Sequence, residues 1–101
     1  MFSIRPFDPQ TDYPGIAAVW NTAWPEIPRS VRQWRQADAL HPPALHFERL
    51  VVEMGNEIVG FGELMQSVEP ESPHCYWAAL EILPTYQRMN LCTALYSRLL
   101  G

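Results

Sequence analysis

Leu80-Glu81-Ile82-Leu83-Pro84-Thr85-Tyr86-Gln87-Arg88-Met89-Asn90-Leu91-Cys92-Thr93-Ala94-Leu95 is the stretch on which the reading of this chain turns. Upstream of Pro84 the residues from Tyr76 to Leu83 are apolar apart from Glu81, which predicts a strand closed by the proline. Downstream, Leu91, Ala94, Leu95 and Leu99 recur at helical spacing until Gly101, which predicts an amphipathic helix starting near Asn90. Between them a Pro-Thr-Tyr turn and a short loop run straight into the helix start. The first turn of a helix carries backbone N–H groups without intrahelical partners and the positive end of its dipole. A loop delivered there forms a cradle for phosphate oxygens. Any strand-loop-helix junction has this property, so the rest of the chain must say whether it is used.

Working back from the junction, Arg49 to Met54 is rich in apolar and β-branched residues and reads as a strand. Gly55-Asn56 is a two-residue hairpin turn, and Glu57 to Met65 returns as the next strand. Gly60 and Gly62 inside that return strand predict a bulge or a close backbone approach. Glu69-Pro70-Glu71-Ser72-Pro73 reads as a loop. At the amino terminus Phe2 to Arg5 alternates and then meets Pro6, a short first strand. Thr11 or Asp12 can cap a helix that accepts Pro14 in its first turn, with Ile16, Val19, Trp20 and Ala23 on one face until Pro25. Pro28 and Ser30 open a second helix carrying Val31, Trp34 and Leu40, and His41-Pro42-Pro43 ends it. The expected order is β-α-α-β-β-β-α, an α+β class, with the prolines acting as punctuation.

The chain has 101 residues, 48% of them hydrophobic, and a net charge of −4, which bounds it to a single domain. All seven basic residues are arginine. The acidic balance leaves no basic stripe and argues against nucleic acid as a partner. No apolar leader or membrane-length run is present, so the expectation is a soluble, cytoplasmic protein without a membrane partner. Cys75 and Cys92 are too few for a disulfide framework. His41, His46 and His74 show no ligand spacing, so no metal is expected. His74 and Cys75 are sequence neighbours on a strand and point to opposite faces, which removes them as a dyad.

The junction resembles the motif of the GNAT (GCN5-related) N-acetyltransferases: a strand ending in Val-x-Pro, then Tyr-Arg, then a Gln/Arg-x-x-Gly-x-Gly/Ala loop opening a helix. Gln87 stands at the Gln/Arg position, Asn90 at the first glycine and Cys92 at the second small residue. Ile4-Arg5-Pro6 resembles the family's opening. The resemblance implies a GNAT-like, acyl-CoA N-acyltransferase partial fold with a mixed, mostly antiparallel sheet. Residues 1–101 would be its amino-terminal half, lacking the family's C-terminal strands and helix. It implies transfer of an acetyl group from acetyl-CoA to a small-molecule or peptide amine, without a metal. Backbone at Ile82 and Leu83 would hydrogen-bond the pantetheine arm as an added strand. The amides of Gln87, Arg88, Met89, Asn90, Leu91, Cys92 and Thr93 would hold the pyrophosphate. Glu81 or Glu63 would act as the catalytic base. Against these stand plainer readings: Glu81 on a half-exposed strand, Glu63 as a surface carboxylate, and Cys92 as a small buried hydrophobe at a helix start. The loop holds no glycine, which favours an alternative function as a non-catalytic CoA-binding or structural module. Trp20, Trp24, Trp34 and Trp77 read as core or groove aromatics, with Trp24 and Trp34 flanking the region that shapes the acceptor pocket. An apolar edge at the last strand implies a homo-oligomer, or a partner that completes the sheet.

Overall fold

A single antiparallel sheet runs in chain order through β1 (Phe2–Pro6), β2 (Phe47–Met54), β3 (Glu57–Gln66) and β4 (Tyr76–Ile82). The computed structural model describes residues 2–66 and 76–101. The expected loop Glu69–Pro73, His74, Cys75 and the side chain of Arg88 lie outside what is described. Helices α1 (Tyr13–Ala23) and α2 (Val31–Leu40) separate β1 from β2, and α3 (Leu91–Leu100) follows a 3-10 segment at Pro84–Met89. The β-α-α-β-β-β-α order matches the expectation. β2 starts at Phe47, two residues before the predicted start, and β4 stops at Ile82, one residue before the predicted end.

Period-two alternation divides the strand side chains between two apolar layers. Val51 and Phe61 face the helical hairpin and pack with Ile16, Val19 and Trp34 of α1 and α2. Leu50, Val52, Val59 and Ile82 face the opposite side, where Leu91, Leu95 and Leu99 of α3 cover them. Those three leucines recur every four residues, a single helical stripe. Each such fully buried side chain contributes about 1.5–3 kcal/mol, so α3 is held to the sheet by its apolar face.

The glycine expectation is met in both its forms. Val52 pairs with Gly60 but Glu53 pairs with Ile58, so Val59 is an extra residue bulged out of β3. A Cβ on Gly62 would lie 2.7 Å from Leu80 Cδ2 and 2.9 Å from Leu95 Cδ2, so the bare backbone lets α3 reach the sheet.

The helix starts differ from one another. Ser30 caps α2 as expected: its hydroxyl accepts from the Gln33 amide at 3.1 Å, and Gln33 Oε1 accepts from the Ser30 amide at 2.8 Å. Asp12 occupies the N-cap of α1 but makes no capping bond. Its carboxylate is taken by Arg5, at 2.7 and 3.0 Å, and by the Asp8 amide at 2.7 Å. That bidentate pair ties the end of β1 to the start of α1 in place of a cap.

Candidate active site at the β4–α3 junction

Which backbone groups of β4 are free follows from one bond. The Leu83 amide donates to the Val59 carbonyl at 2.8 Å, so Leu83 belongs to the hydrogen-bonded set facing β3. In an antiparallel ladder this set alternates. Ile82, Leu80, Ala78 and Tyr76 therefore turn their N–H and C=O groups outward, along an edge that no other described strand covers. The Ile82 carbonyl points to that edge and accepts from Gln87 Nε2 at 3.2 Å. Ile82 thus turns its backbone to an uncovered edge, with its carbonyl held by Gln87. Leu83 differs from Ile82: its amide is engaged by β3 and its carbonyl accepts from the Tyr86 amide at 2.9 Å.

The loop expected between strand and helix is itself a 3-10 helix from Pro84 to Met89. Its i→i+3 bonds turn amides onto the segment's own carbonyls, so the amide run expected from Gln87 to Thr93 narrows toward α3. There Asn90 adopts φ 58° and ψ 26°, the left-handed region, and ends the 3-10 helix as α3 begins. It is the residue other than glycine that tolerates this conformation best, which explains how the turn forms without one. The first bond of α3 runs from the Ala94 amide to the Asn90 carbonyl at 3.2 Å. The amides of Leu91, Cys92 and Thr93 precede it, and the Asn90 side chain does not cap them. Leu91 is buried and anchors the turn, while Cys92 and Thr93 are exposed. Cys92 is therefore not the buried hydrophobe of the plainer reading. The turn opens to solvent, so its residues fit an anionic ligand at the helix start.

The candidate bases lie on one face of the sheet and in different surroundings. Glu81 pairs across the ladder with Phe61, and Glu63 pairs with Ala79, so both side chains point to the α1–α2 side. Glu81 is partly exposed, and its Oε1 accepts from the Trp24 indole N–H at 2.9 Å. Glu63 is 7% exposed, which overturns its reading as a surface carboxylate. Its Oε2 accepts from Arg49 Nε at 2.8 Å, and a second Arg49 nitrogen reaches the same oxygen. Arg49 also forks onto Asp38 at 2.8 and 3.0 Å, and Asp38 accepts from the Tyr13 hydroxyl at 2.5 Å. Burial alone raises the Asp38 carboxyl, but the hydrogen bonds from Arg49 and Tyr13 outweigh it and hold the group below the usual carboxylate range. Burial, then the neighbouring carboxylate, hold the Tyr13 phenol above its ordinary value. Glu63 therefore belongs to a buried cluster in which Arg49 engages both carboxylates, and of the two candidate bases Glu81 is the one with exposed surface.

The contact between Trp24 and Glu81 was invisible in the sequence, because the two residues are far apart in the chain and no spacing links them. The pairing of Arg49 with Glu63 had a signal, but the bulge disguised it. Counted from a Gly55-Asn56 turn without a bulge, Arg49 falls opposite Gly62; the extra residue Val59 moves it opposite Glu63. Among the described residues no three His, Cys, Asp or Glu side chains gather as metal ligands.

The profile of the Acetyltransferase (GNAT) family matches residues 9–101, and the chain belongs to that family. Known structures agree at the level of the fold. A protein of Streptococcus mutans superposes with a TM-score of 0.79 at 20% identity, over 97% of this chain and 63% of that one. The yncA protein of Salmonella typhimurium, solved with its cofactor acetyl-CoA, gives 0.79 at 20% identity over 98% and 61%. An N-acetyltransferase of Staphylococcus aureus gives 0.79 at 16% identity over 98% and 64%. The chain thus spans somewhat more than three fifths of the length of these relatives. No curated protein sequence matches it. Among the described residues no helix is long and apolar enough to cross a membrane.

Proposed function

We propose that this chain binds acetyl-CoA and takes part in acetyl transfer to an amine in the cytoplasm. The observation that carries the reading is the β4–α3 junction, where the uncapped helix start at exposed Cys92 and Thr93 follows the outward backbone of Ile82. Acetyl-CoA supplies an activated acyl group: the amine nitrogen bonds to the thioester carbonyl carbon, the C–S bond breaks, and the thiol of CoA leaves with a proton. The helix start holds diphosphate by N–H donation and by its dipole. The exposed edge at Ile82 and Leu80 receives the pantetheine amides as an added strand, with the Gln87 side chain giving way from the Ile82 carbonyl. Positioning of this kind supplies much of the rate in a reaction between two bound partners. Glu81 removes the proton that the amine loses, using the oxygen not bonded to Trp24. Glu63 is left out of this step because Arg49 engages it. The uncovered edge of β4, with Tyr76 and Trp77 exposed, supports a partner strand from a second copy or from more of the same protein completing the cleft.

Isothermal calorimetry of the purified protein with acetyl-CoA and with CoA, followed by thiol release on an amine panel, tests the reading. Saturable binding with turnover is the expected result. Binding without turnover assigns the non-catalytic CoA-binding function instead. No heat at millimolar cofactor leaves the family fold without the activity.

A further inference from the structure

On the same face of the sheet as the candidate base lies a cavity of about 190 Å³. Trp34, Asp38, Phe47, Arg49, Glu63 and Met65 line it, and Arg29 stands at its wall. Pockets for drug-sized ligands measure about 300–1,000 Å³, so this one suits a group the size of an amino-acid side chain. Arg49 holds both Asp38 and Glu63, one cation against two carboxylates, and Arg29 at the wall adds its charge to what keeps the Asp38 carboxyl low.

Arg29 is different. Arg5 and Arg49 are ion-paired, while Arg32, Arg35 and Arg98 are exposed. Arg29 is half-buried, yet among the described residues its guanidinium meets no carboxylate within ion-pair distance. It lies flat against aromatic rings, 3.8 Å from the Trp34 ring centre and 5.6 Å from that of Trp20. Stacking uses the face of a guanidinium and leaves its N–H donors free at the edge, in the fork geometry that fits a carboxylate. The position is also fixed from behind. The Arg29 amide donates to Asn21 Oδ1 at 2.7 Å, and Asn21 Nδ2 donates to the Arg29 carbonyl at 3.1 Å. The Trp20 indole N–H holds the Ile27 carbonyl at 2.9 Å in the same loop. A second donor is left over nearby: Trp34 Nε1 is buried and has no hydrogen-bond partner among the described residues. The cavity lies near the candidate active site in the fold, since Trp34 of its lining packs edge-on against Phe61 at 5.6 Å and Phe61 is the cross-strand partner of Glu81.

We propose that this cavity is the acceptor subsite for an amine of the amino-acid class, with its carboxylate forked on Arg29 and its apolar side chain against Trp34, Phe47 and Met65. The inference rests on the acetyl-transfer reading for the identity of the reactive group, but the carboxylate fork stands or falls separately. The test measures binding of N-acetyl-L-leucine and of N-acetyl-L-leucinamide by calorimetry, for the unaltered protein, Arg29→Gln, Arg29→Lys and Arg32→Gln. Thermal melts confirm that each variant is folded. The acid should bind roughly tenfold tighter than the amide, as expected for a hydrogen-bonded charge pair. Arg29→Gln should erase that preference, Arg29→Lys should restore part of it, and Arg32→Gln should leave it intact. Equal binding of acid and amide, a preference that survives Arg29→Gln, or no binding of either at millimolar concentration overturns the subsite. Acetyl-CoA calorimetry on the same preparation reports on the activity itself, so a failed subsite and a failed acetyl-transfer reading give different results.

Discussion

The Arg49 cluster and the β4–α3 junction are both polar sites set into an apolar sheet, and they handle their polar groups in opposite ways. In the cluster each charge has its partner. Arg49 engages Asp38 and Glu63, Tyr13 closes the network, and Phe7 and Phe47 cover the guanidinium at 4.6 and 4.9 Å. At the junction the groups are left open: outward backbone on β4, an uncapped helix start, exposed Cys92 and Thr93. Unsatisfied buried groups are strongly unfavourable, whereas unsatisfied exposed groups are tolerated because water answers them. The cluster therefore stabilises the fold, and the junction keeps donors available to a ligand. Substitutions in the first should change melting, and substitutions in the second should change binding.

The largest effect is expected from Arg49→Met. It leaves buried Glu63 and half-buried Asp38 without their cation, and breaking a buried pair in this way costs about 3–5 kcal/mol. Urea unfolding should show that loss. A shift under 1 kcal/mol would mean the carboxylates find water, and the cluster is not the closed network described. Next is Glu81→Gln, expected to lower kcat by about 10²–10⁴-fold while leaving acetyl-CoA affinity and the melting temperature in place, as for loss of a general base. A thermal shift as large as that of Arg49→Met would place Glu81 in the structural class instead. Gly62→Ala tests where the two regions touch. Its Cβ meets Leu80 and Leu95, so α3 must move outward at a cost of about 1–3 kcal/mol. Acetyl-CoA binding should weaken with it, because the open amides travel with α3.

The elements of the sheet were legible because local signals agreed: Gly55-Asn56 set the hairpin, and leucines at four-residue spacing set α3. What could not be read was anything that depended on a register shift or on distant partners. The bulge at Val59 is one inserted residue with no distinctive side chain, yet it decides that Glu63 faces Arg49 and not open solvent. The 3-10 helix at Pro84–Met89 was hidden for a different reason, since a segment that short carries no periodicity to detect. Asn90 was the exception. Its tolerance of positive φ is a property of the residue itself, so its role in the turn could be anticipated without the fold.

The cluster also has a pH signature in its stability. The Asp38 carboxyl is held low, as is Asp12, where the hydrogen bond from Arg5 outweighs burial. A carboxyl whose folded value is depressed contributes stability that is present above its unfolded value, about 3.9, and is lost as pH falls through the folded one. Unfolding free energy should be flat down to about pH 5 and then drop. Asp38→Asn should start from lower stability and show a shallower acid limb. An acid limb unchanged by Asp38→Asn would remove that carboxylate from the account.

The smallest effect separates the two helix starts most finely. At α2 the capping box already satisfies the first turn, and Ser30→Ala should destabilise by about 1 kcal/mol without touching acetyl-CoA binding. At α3 the corresponding amides are open. Asn90→Asp keeps a side chain that accepts the left-handed conformation but brings a negative charge to the positive end of the helix dipole. That charge should stabilise the folded protein by about 0.3–1 kcal/mol. The same charge occupies the field that a diphosphate would use, so acetyl-CoA affinity should fall several-fold while stability rises. Opposite signs in melting and binding are what a ligand-facing helix start demands. If both rise together, or if binding is indifferent to the charge, the phosphate cradle does not lie at Cys92 and Thr93.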